Sequence, residues 1–159
     1  MPDVPLPDED VQSYPRPPRL EPVPQTVEVW LGGVRIVGTD RALRVLETHH
    51  APTYYIPRDS IAADLSPAGG GSVCEWKGVA RYWTLSAGGA VAPRAAWEYP
   101  RPTSAFAALE DHLAIYAHAM DAVRVGGVAV EPQPGNFYGG WVTPNLRGRI
   151  KGAPGTEGW

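Results

Sequence analysis

Three Gly-Gly pairs constrain this chain more than any other feature. Gly32-Gly33 separates residues 26–31 from Val34, Ile36 and Val37. Gly88-Gly89 separates a run ending near Leu85 from residues 91–99, and Gly126-Gly127 separates residues 122–125 from 128–130. Glycine reaches positive φ without steric cost, and a two-residue connection of that kind matches the twist of the strands it joins. Each pair therefore predicts a tight β-hairpin. In the first, Val27, Val29 and Leu31 share one face while Glu28 and Trp30 share the other, the period of a half-buried strand. The flanks of the three pairs differ, so they are not a sequence repeat.

The intervening segments follow the same pattern. Residues 40–48 fit a short helix capped by Asp40 or a strand in which Leu43, Val45 and Glu47 alternate with Arg44 and Leu46; the turn-like His49-His50-Ala51-Pro52 and the β-prone Thr53-Tyr54-Tyr55-Ile56 that follow favour the strand. Pro57 ends the second of these strands, and residues 58–61 suit a tight helical turn. Residues 67–72 read as a flexible glycine loop, and residues 74–85 as one strand. Residues 91–99 make a returning strand, stopped by Pro100 and Pro102. Residues 103–111 fit a short helix or helical turn, and 113–116 a strand. Many short strands, glycine turns and little helix predict an all-β domain built from antiparallel hairpins.

A chain of 159 residues suits one such domain with tails. Residues 1–25 form a proline-rich N-terminal arm in which Tyr14-Pro15-Arg16-Pro17-Pro18 is extended; a docking arm and an extended or disordered lead-in both fit its composition. Residues 26–131 are the β domain. Residues 132–159 are a Gly/Pro/Trp-rich extension, and Phe137, Tyr138, Trp141 and Trp159 give it anchors to pack on the domain surface.

Several function classes are disfavoured. The net charge of -3 argues against broad binding to a nucleic-acid backbone, which needs grouped Lys and Arg. No run approaches the roughly 20 apolar residues of a membrane helix. The start of the chain has neither the basic region nor the apolar run of a signal peptide, and one unpaired thiol suits the cytoplasm. A single cysteine excludes a multi-cysteine zinc site. His49 and His50, adjacent on an extended segment, point to opposite faces and chelate poorly, so they read as exposed turn residues and no metal or other cofactor is expected. The phosphate-binding Gly-x-x-x-x-Gly-Lys loop and the Gly-x-Ser-x-Gly elbow are missing.

Candidate chemistry gathers in Cys74-Glu75-Trp76-Lys77-Gly78-Val79-Ala80-Arg81-Tyr82-Trp83. Cys74 is either a nucleophile, activated by the charge of Lys77 with His49 or His50 as base, or a small hydrophobe at a strand entry. Lys77, at a turn among aromatics, either binds an anion or carbonyl group or covers a tryptophan with its stem. Trp76, Trp83, Trp97, Tyr54, Tyr55, Tyr82 and Tyr99 either fill the core, as most tryptophans in a small β domain do, or line a pocket; Tyr55, Tyr82, Trp97 and Tyr99 are the candidates for its apolar walls, with Glu47, Arg58 and Lys77 as its fixed polar groups.

The segments Arg41-Ala42-Leu43-Arg44-Val45-Leu46-Glu47, Tyr54-Tyr55-Ile56-Pro57-Arg58, 74–82 and Ala96-Trp97-Glu98-Tyr99-Pro100, in that order, resemble the domain of unknown function 427 family over about residues 27–131. The tail, with Phe137-Tyr138-Gly139-Gly140-Trp141 and Lys151-Gly152-Ala153-Pro154-Gly155-Thr156, resembles the extension of an actinobacterial-type subgroup. The resemblance implies a β-tent-like fold of two antiparallel sheets leaning on one another, as in the ligand-binding domain of cereblon and methionine sulfoxide reductase B. It also implies a cleft between the sheets where small molecules sit. The paired Cys-x-x-Cys motifs that hold zinc in such domains are missing here, as are the paired carboxylates that a nucleotidyltransferase label would require.

Three functions are open on these grounds. The first is a small-molecule-binding module, with Arg58 and Lys77 favouring an anionic or carbonyl-bearing ligand. The second is a cofactor-independent enzyme in which Lys77 or Cys74 acts on a carbonyl and Glu47 or a tyrosine moves protons. The third is a scaffold using the N-terminal arm and the aromatic tail. A homodimer is compatible with each. Binding is preferred, because the sequence offers no complete set of nucleophile, base and orienting group.

Overall fold

The computed structural model describes residues 5–74, 76–135, 138–153 and 156. In chain order its strands are β1 (Glu9–Asp10), β2 (Arg19–Pro22), β3 (Val27–Leu31), β4 (Val34–Thr39), β5 (Leu43–Leu46), β6 (Thr53–Pro57), β7 (Asp64–Cys74), β8 (Gly78–Ala87), β9 (Ala90–Glu98), β10 (His112–Ile115), β11 (Ala122–Val125), β12 (Val128–Ala129), β13 (Glu131–Pro132), β14 (Trp141–Val142) and β15 (Leu146–Arg147). The only helical elements among the described residues are short 3-10 turns, including Arg58–Ser60 and Ser104–Leu109. The protein is all-β.

Two antiparallel sheets dominate. A seven-stranded sheet has the order β2-β5-β6-β10-β9-β8-β7, and a four-stranded sheet the order β12-β11-β3-β4. Two small pairs complete the structure: β13 with β14, antiparallel, and β1 with β15, parallel. All three Gly-Gly pairs lie between consecutive antiparallel strands, β3–β4, β8–β9 and β11–β12, with positive φ at every glycine.

Alternation along the strands decides what each face of the large sheet covers. On β6, Tyr54 and Ile56 pack with Leu113 and Ile115 of β10 against Val27, Val29, Val123 and Val125 of the small sheet. These side chains are buried to 4% exposure or less, and each contributes about 2 kcal/mol through removal of apolar surface from water. The residues between them, Tyr55 and Ala114, point to the opposite face and join Tyr82, Trp97 and Tyr99 in a second apolar cluster.

Two local expectations are corrected. Residues 67–72 are not a loop but part of β7, with an irregularity between Pro67 and Gly71. Because β7 is an edge strand, a residue without an N–H and a bulged glycine run are tolerated there. Residues 74–85 are not one strand. Cys74 ends β7 and pairs with Gly78, the first residue of β8, so Trp76 and Lys77 lie in the intervening turn.

The proline-rich segment joins the fold. Its strand β2 pairs with β5, and Val11 and Tyr14 are buried beside Leu46. Arg44 of β5 holds it, donating to Glu9 at 2.7 and 3.0 Å and to Glu21 at 2.7 Å. In the C-terminal segment Trp141 is 1% exposed and lies in the core between the sheets. The other proposed anchors Phe137 and Trp159 lie outside the described residues.

Candidate functional site

A cavity of about 480 Å³ lies on the face of the large sheet turned away from the small sheet. The resemblance implied a cleft between the two sheets, but apolar core side chains occupy that space. The cavity floor is formed by Tyr55, Tyr82, Trp97 and Tyr99, whose shared face follows from the register of their strands: Tyr82 stands opposite Trp97. One wall is the β7–β8 turn with Cys74, Trp76 and Lys77, and another is the C-terminal segment with Gln133, Tyr138, Gly139, Gly140 and Lys151.

Lys77 is held from outside the turn. Thr103 donates its backbone N–H to the Lys77 carbonyl at 3.0 Å and its hydroxyl to the Trp76 carbonyl at 2.6 Å. Gly78 follows with φ +119, and a Cβ there would come within 3.2 Å of the Arg101 carbonyl oxygen. The Lys77 side chain is 8% exposed and its Nζ lies 5.8 Å from the centre of the Tyr99 ring. Among the described residues, no carboxylate forms an ion pair with it.

The opposite wall depends on close backbone approach. A Cβ on Gly139 would fall 1.9 Å from the Trp97 indole, and one on Gly140 would fall 2.5 Å from the Ala51 carbonyl oxygen. Only glycine allows this segment to lie on the floor of the cavity. Tyr116 packs beside the same indole, with ring centres 4.6 Å apart.

Gln133 organises the polar end. It is 1% exposed; its Oε1 accepts from the Ala51 N–H at 3.2 Å and its Nε2 donates to the Lys151 carbonyl at 3.0 Å. The same Nε2 lies 3.2 Å from His50 Nδ1. An amide nitrogen only donates, so Nδ1 is the acceptor and the His50 proton sits on Nε2, which faces Glu47 Oε2 at 3.8 Å. Burial, followed by the charges of Lys151, Arg16, Lys77 and His49, pushes the His50 pKa down to about 4. His50 is therefore a neutral, oriented imidazole at neutral pH. Glu47 also faces Arg16 at 3.8 Å.

The pH dependence of stability follows from this. The unfolded histidine, with an ordinary pKa near 6.5, takes up its proton before the folded one does. The contribution of His50 is full above pH 6.5 and is lost as the pH falls toward 4, a loss of about 3 kcal/mol. Unfolding free energies of the wild type and His50→Gln at pH 7 and pH 4 check this: the variant is expected to lose about 3 kcal/mol less than the wild type over that interval. Equal losses would contradict a neutral buried imidazole.

The site is rich in hydrogen-bond donors. Burial pushes the phenols of Tyr55 and Tyr99 up, and that of Tyr116 up to about 12, so all three keep their protons at neutral pH. Ser72 and Tyr82 hydroxyls are 3.0 Å apart. Among the described residues the charged lining groups are Lys77, Lys151 and Glu47, two cations to one carboxylate. Among the described residues, no three His, Cys, Asp or Glu side chains gather as a metal-binding group, and no helix is long and apolar enough to cross a membrane.

Of the residues singled out in the sequence, Glu47, Tyr55, Cys74, Lys77, Tyr82, Trp97 and Tyr99 line this one cavity. Arg58 does not. It pairs with Glu98, which sits between Trp97 and Tyr99 in sequence and so points to the other face of the sheet. Glu98 is 5% exposed, also accepts from Trp83 Nε1, and Arg58 stacks 5.3 Å from the Trp83 ring centre. Gln133, Tyr138 and Lys151 were not singled out as site residues. His50 read as an exposed turn residue, whereas it is half-buried with a ring edge-on to Tyr138 at 5.3 Å. Its inward orientation depends on Gln133, a partner with no local sequence signal.

Comparison with known proteins gives one family. The model of the family described as domain of unknown function (DUF427) matches residues 19–126, about two-thirds of the chain. No curated protein matches.

Proposed function

We propose a small-molecule-binding role for this chain, which belongs to the domain of unknown function (DUF427) family. The ligand carries an anionic group that pairs with Lys77 and a flat apolar body that lies on the aromatic floor. The observation that carries this reading is Lys77 itself: a cation 8% exposed, at the wall of an aromatic cavity, with no carboxylate paired to it among the described residues. A buried charge is costly unless it is paired. A ligand carboxylate or phosphate supplies the pairing, and the neutral tyrosine hydroxyls supply further donors to it.

Two results test the proposal. Calorimetric titration with benzoate is expected to show binding that weakens by at least about 30-fold in Lys77→Met, the effect of removing one partner of a desolvated charge pair. Benzamide, with the same ring and no charge, is expected to bind no better to the wild type than to the variant. Lys77→Met is also expected to be about as stable as the wild type, because among the described residues Lys77 has no ion pair to lose and methionine keeps most of its apolar stem. Failure of every aromatic anion tested to bind, equal benzoate affinity in the two proteins, or a clear loss of stability in Lys77→Met would overturn the reading.

A further inference from the structure

The chain contains two lysines, Lys77 and Lys151; every other basic residue apart from histidine is arginine. Both lysines line the same cavity. They reach it from walls with no sequence relation: Lys77 from the β7–β8 turn and Lys151 from the C-terminal segment. Lysine differs from arginine in offering a compact point charge on a slim stem instead of a planar fork. A cavity of about 480 Å³ can take two such charges and still leave room for a ligand between aromatic walls.

Each ammonium group lies over an aromatic ring. Lys77 Nζ lies 5.8 Å from the Tyr99 ring centre and Lys151 Nζ lies 5.5 Å from that of Tyr138. Among the described residues neither forms an ion pair. Both act on His50, where they disfavour a further positive charge. The one carboxylate among the described lining residues, Glu47, faces Arg16 at 3.8 Å and His50 Nε2 at 3.8 Å. Lys151 is fixed through its backbone, whose N–H donates to the His49 carbonyl at 2.7 Å and whose carbonyl accepts from Gln133, and its side chain reaches over the Tyr138 ring.

The family match ends at residue 126, and the wall carrying Gln133, Tyr138, Gly139, Gly140 and Lys151 lies beyond it. The β domain supplies the aromatic floor and one cation; the C-terminal segment closes the floor and adds the second.

We propose that Lys151 is the specificity-determining residue of this site and that, with Lys77, it selects a dianion: a flat molecule bearing two carboxylates or one phosphomonoester. This rests on the anion-binding reading of Lys77 given above. A monoanion satisfies one lysine and leaves the other unpaired, whereas a dianion satisfies both, and the difference in affinity is the discrimination.

The experiment compares benzoate, terephthalate and phenyl phosphate by calorimetric titration on the wild type, Lys151→Met and Lys77→Met, with thermal unfolding of each to confirm folding. The wild type is expected to bind at least one of the dianions about 10-fold or more tighter than benzoate. Lys151→Met is expected to weaken the dianions about 10-fold or more beyond any effect on benzoate, bringing that ratio to about one, and Lys77→Met to weaken all three probes. The probe that shows the preference distinguishes a dicarboxylate from a phosphomonoester. A wild type without preference for either dianion, or a ratio unchanged in Lys151→Met, would overturn the dianion proposal even if benzoate binding and its dependence on Lys77 hold. Failure of benzoate to bind, with dianion binding that still requires both lysines, would leave dianion selection standing and overturn the monoanion test of the simpler reading.

Discussion

Trp141→Ala is expected to lower the unfolding free energy by about 4 kcal/mol, a large share of the roughly 5–15 kcal/mol that holds a typical domain together. The indole is 1% exposed and stacks on Tyr54 with ring centres 4.9 Å apart and planes 18° from parallel. Its Nε1 donates to the Ile115 carbonyl at 2.9 Å, and its backbone N–H to that of Pro52 at 2.8 Å. Truncation removes a large apolar surface, opens a cavity beside Tyr54 and takes the side-chain donor away from Ile115. Trp141→Phe separates the contributions: it keeps a ring on Tyr54 and loses the donor, for an expected cost of about 1–2 kcal/mol. Urea denaturation checks both, with a lowered midpoint and an unchanged slope as the signature of lost stability. A loss below about 1 kcal/mol in Trp141→Ala would mean that the C-terminal segment is not integral to the core.

Gly32→Ala is expected to cost about 3 kcal/mol or more, and Gly33→Ala, its neighbour in the same turn, only about 1 kcal/mol. Both glycines have positive φ, +60 and +77, so both substitutions bear the backbone penalty of a left-handed alanine. The surroundings separate them. A Cβ on Gly32 would lie 2.1 Å from the Ala87 carbonyl oxygen, while one on Gly33 would meet nothing within 4 Å. The reciprocal approach occurs at Gly88, where a Cβ would lie 2.0 Å from the Gly32 carbonyl oxygen. The β3–β4 turn of the small sheet is thus seated directly on the β8–β9 turn of the large one. The clash is with backbone on both sides, so no rotamer change relieves it. Denaturation midpoints of Gly32→Ala, Gly33→Ala and Gly88→Ala test this contact. The Gly32→Ala/Gly88→Ala double variant is expected to lose less than the sum of the two, because either change alone separates the turns. Equal losses at Gly32 and Gly33 would show that φ alone matters and that the contact between turns contributes nothing.

The same two glycines mark how far the sequence could be read. The need for glycine at a hairpin turn is visible in a few residues, because positive φ is a local demand. That one glycine of the pair also touches a second turn some fifty residues away is visible only in three dimensions. The candidate site divides in the same way. Trp97 and Tyr99 were legible as sharing a face because they lie two apart on an extended segment; that Tyr55 and Tyr82 join them depends on strand register. Arg58 was not placed correctly by that logic, since it follows Pro57 in a 3-10 turn where the strand period has ended, and its partner Glu98 lies on the other face of the sheet. His50 and Lys151 carried no local sign of their role. The first is turned inward by Gln133 and the second is brought to the cavity by the course of the C-terminal segment.

By itself, the sequence determined the all-β class, the three hairpins and the crowding of aromatics around Lys77, because backbone φ and the two-residue strand period are set by near neighbours. Tertiary structure alone decided which face of the large sheet carries the cavity, which cations find carboxylates, and that both lysines line it. Those outcomes depend on strand order and on contacts between residues far apart in the chain, and no short window of sequence contains them.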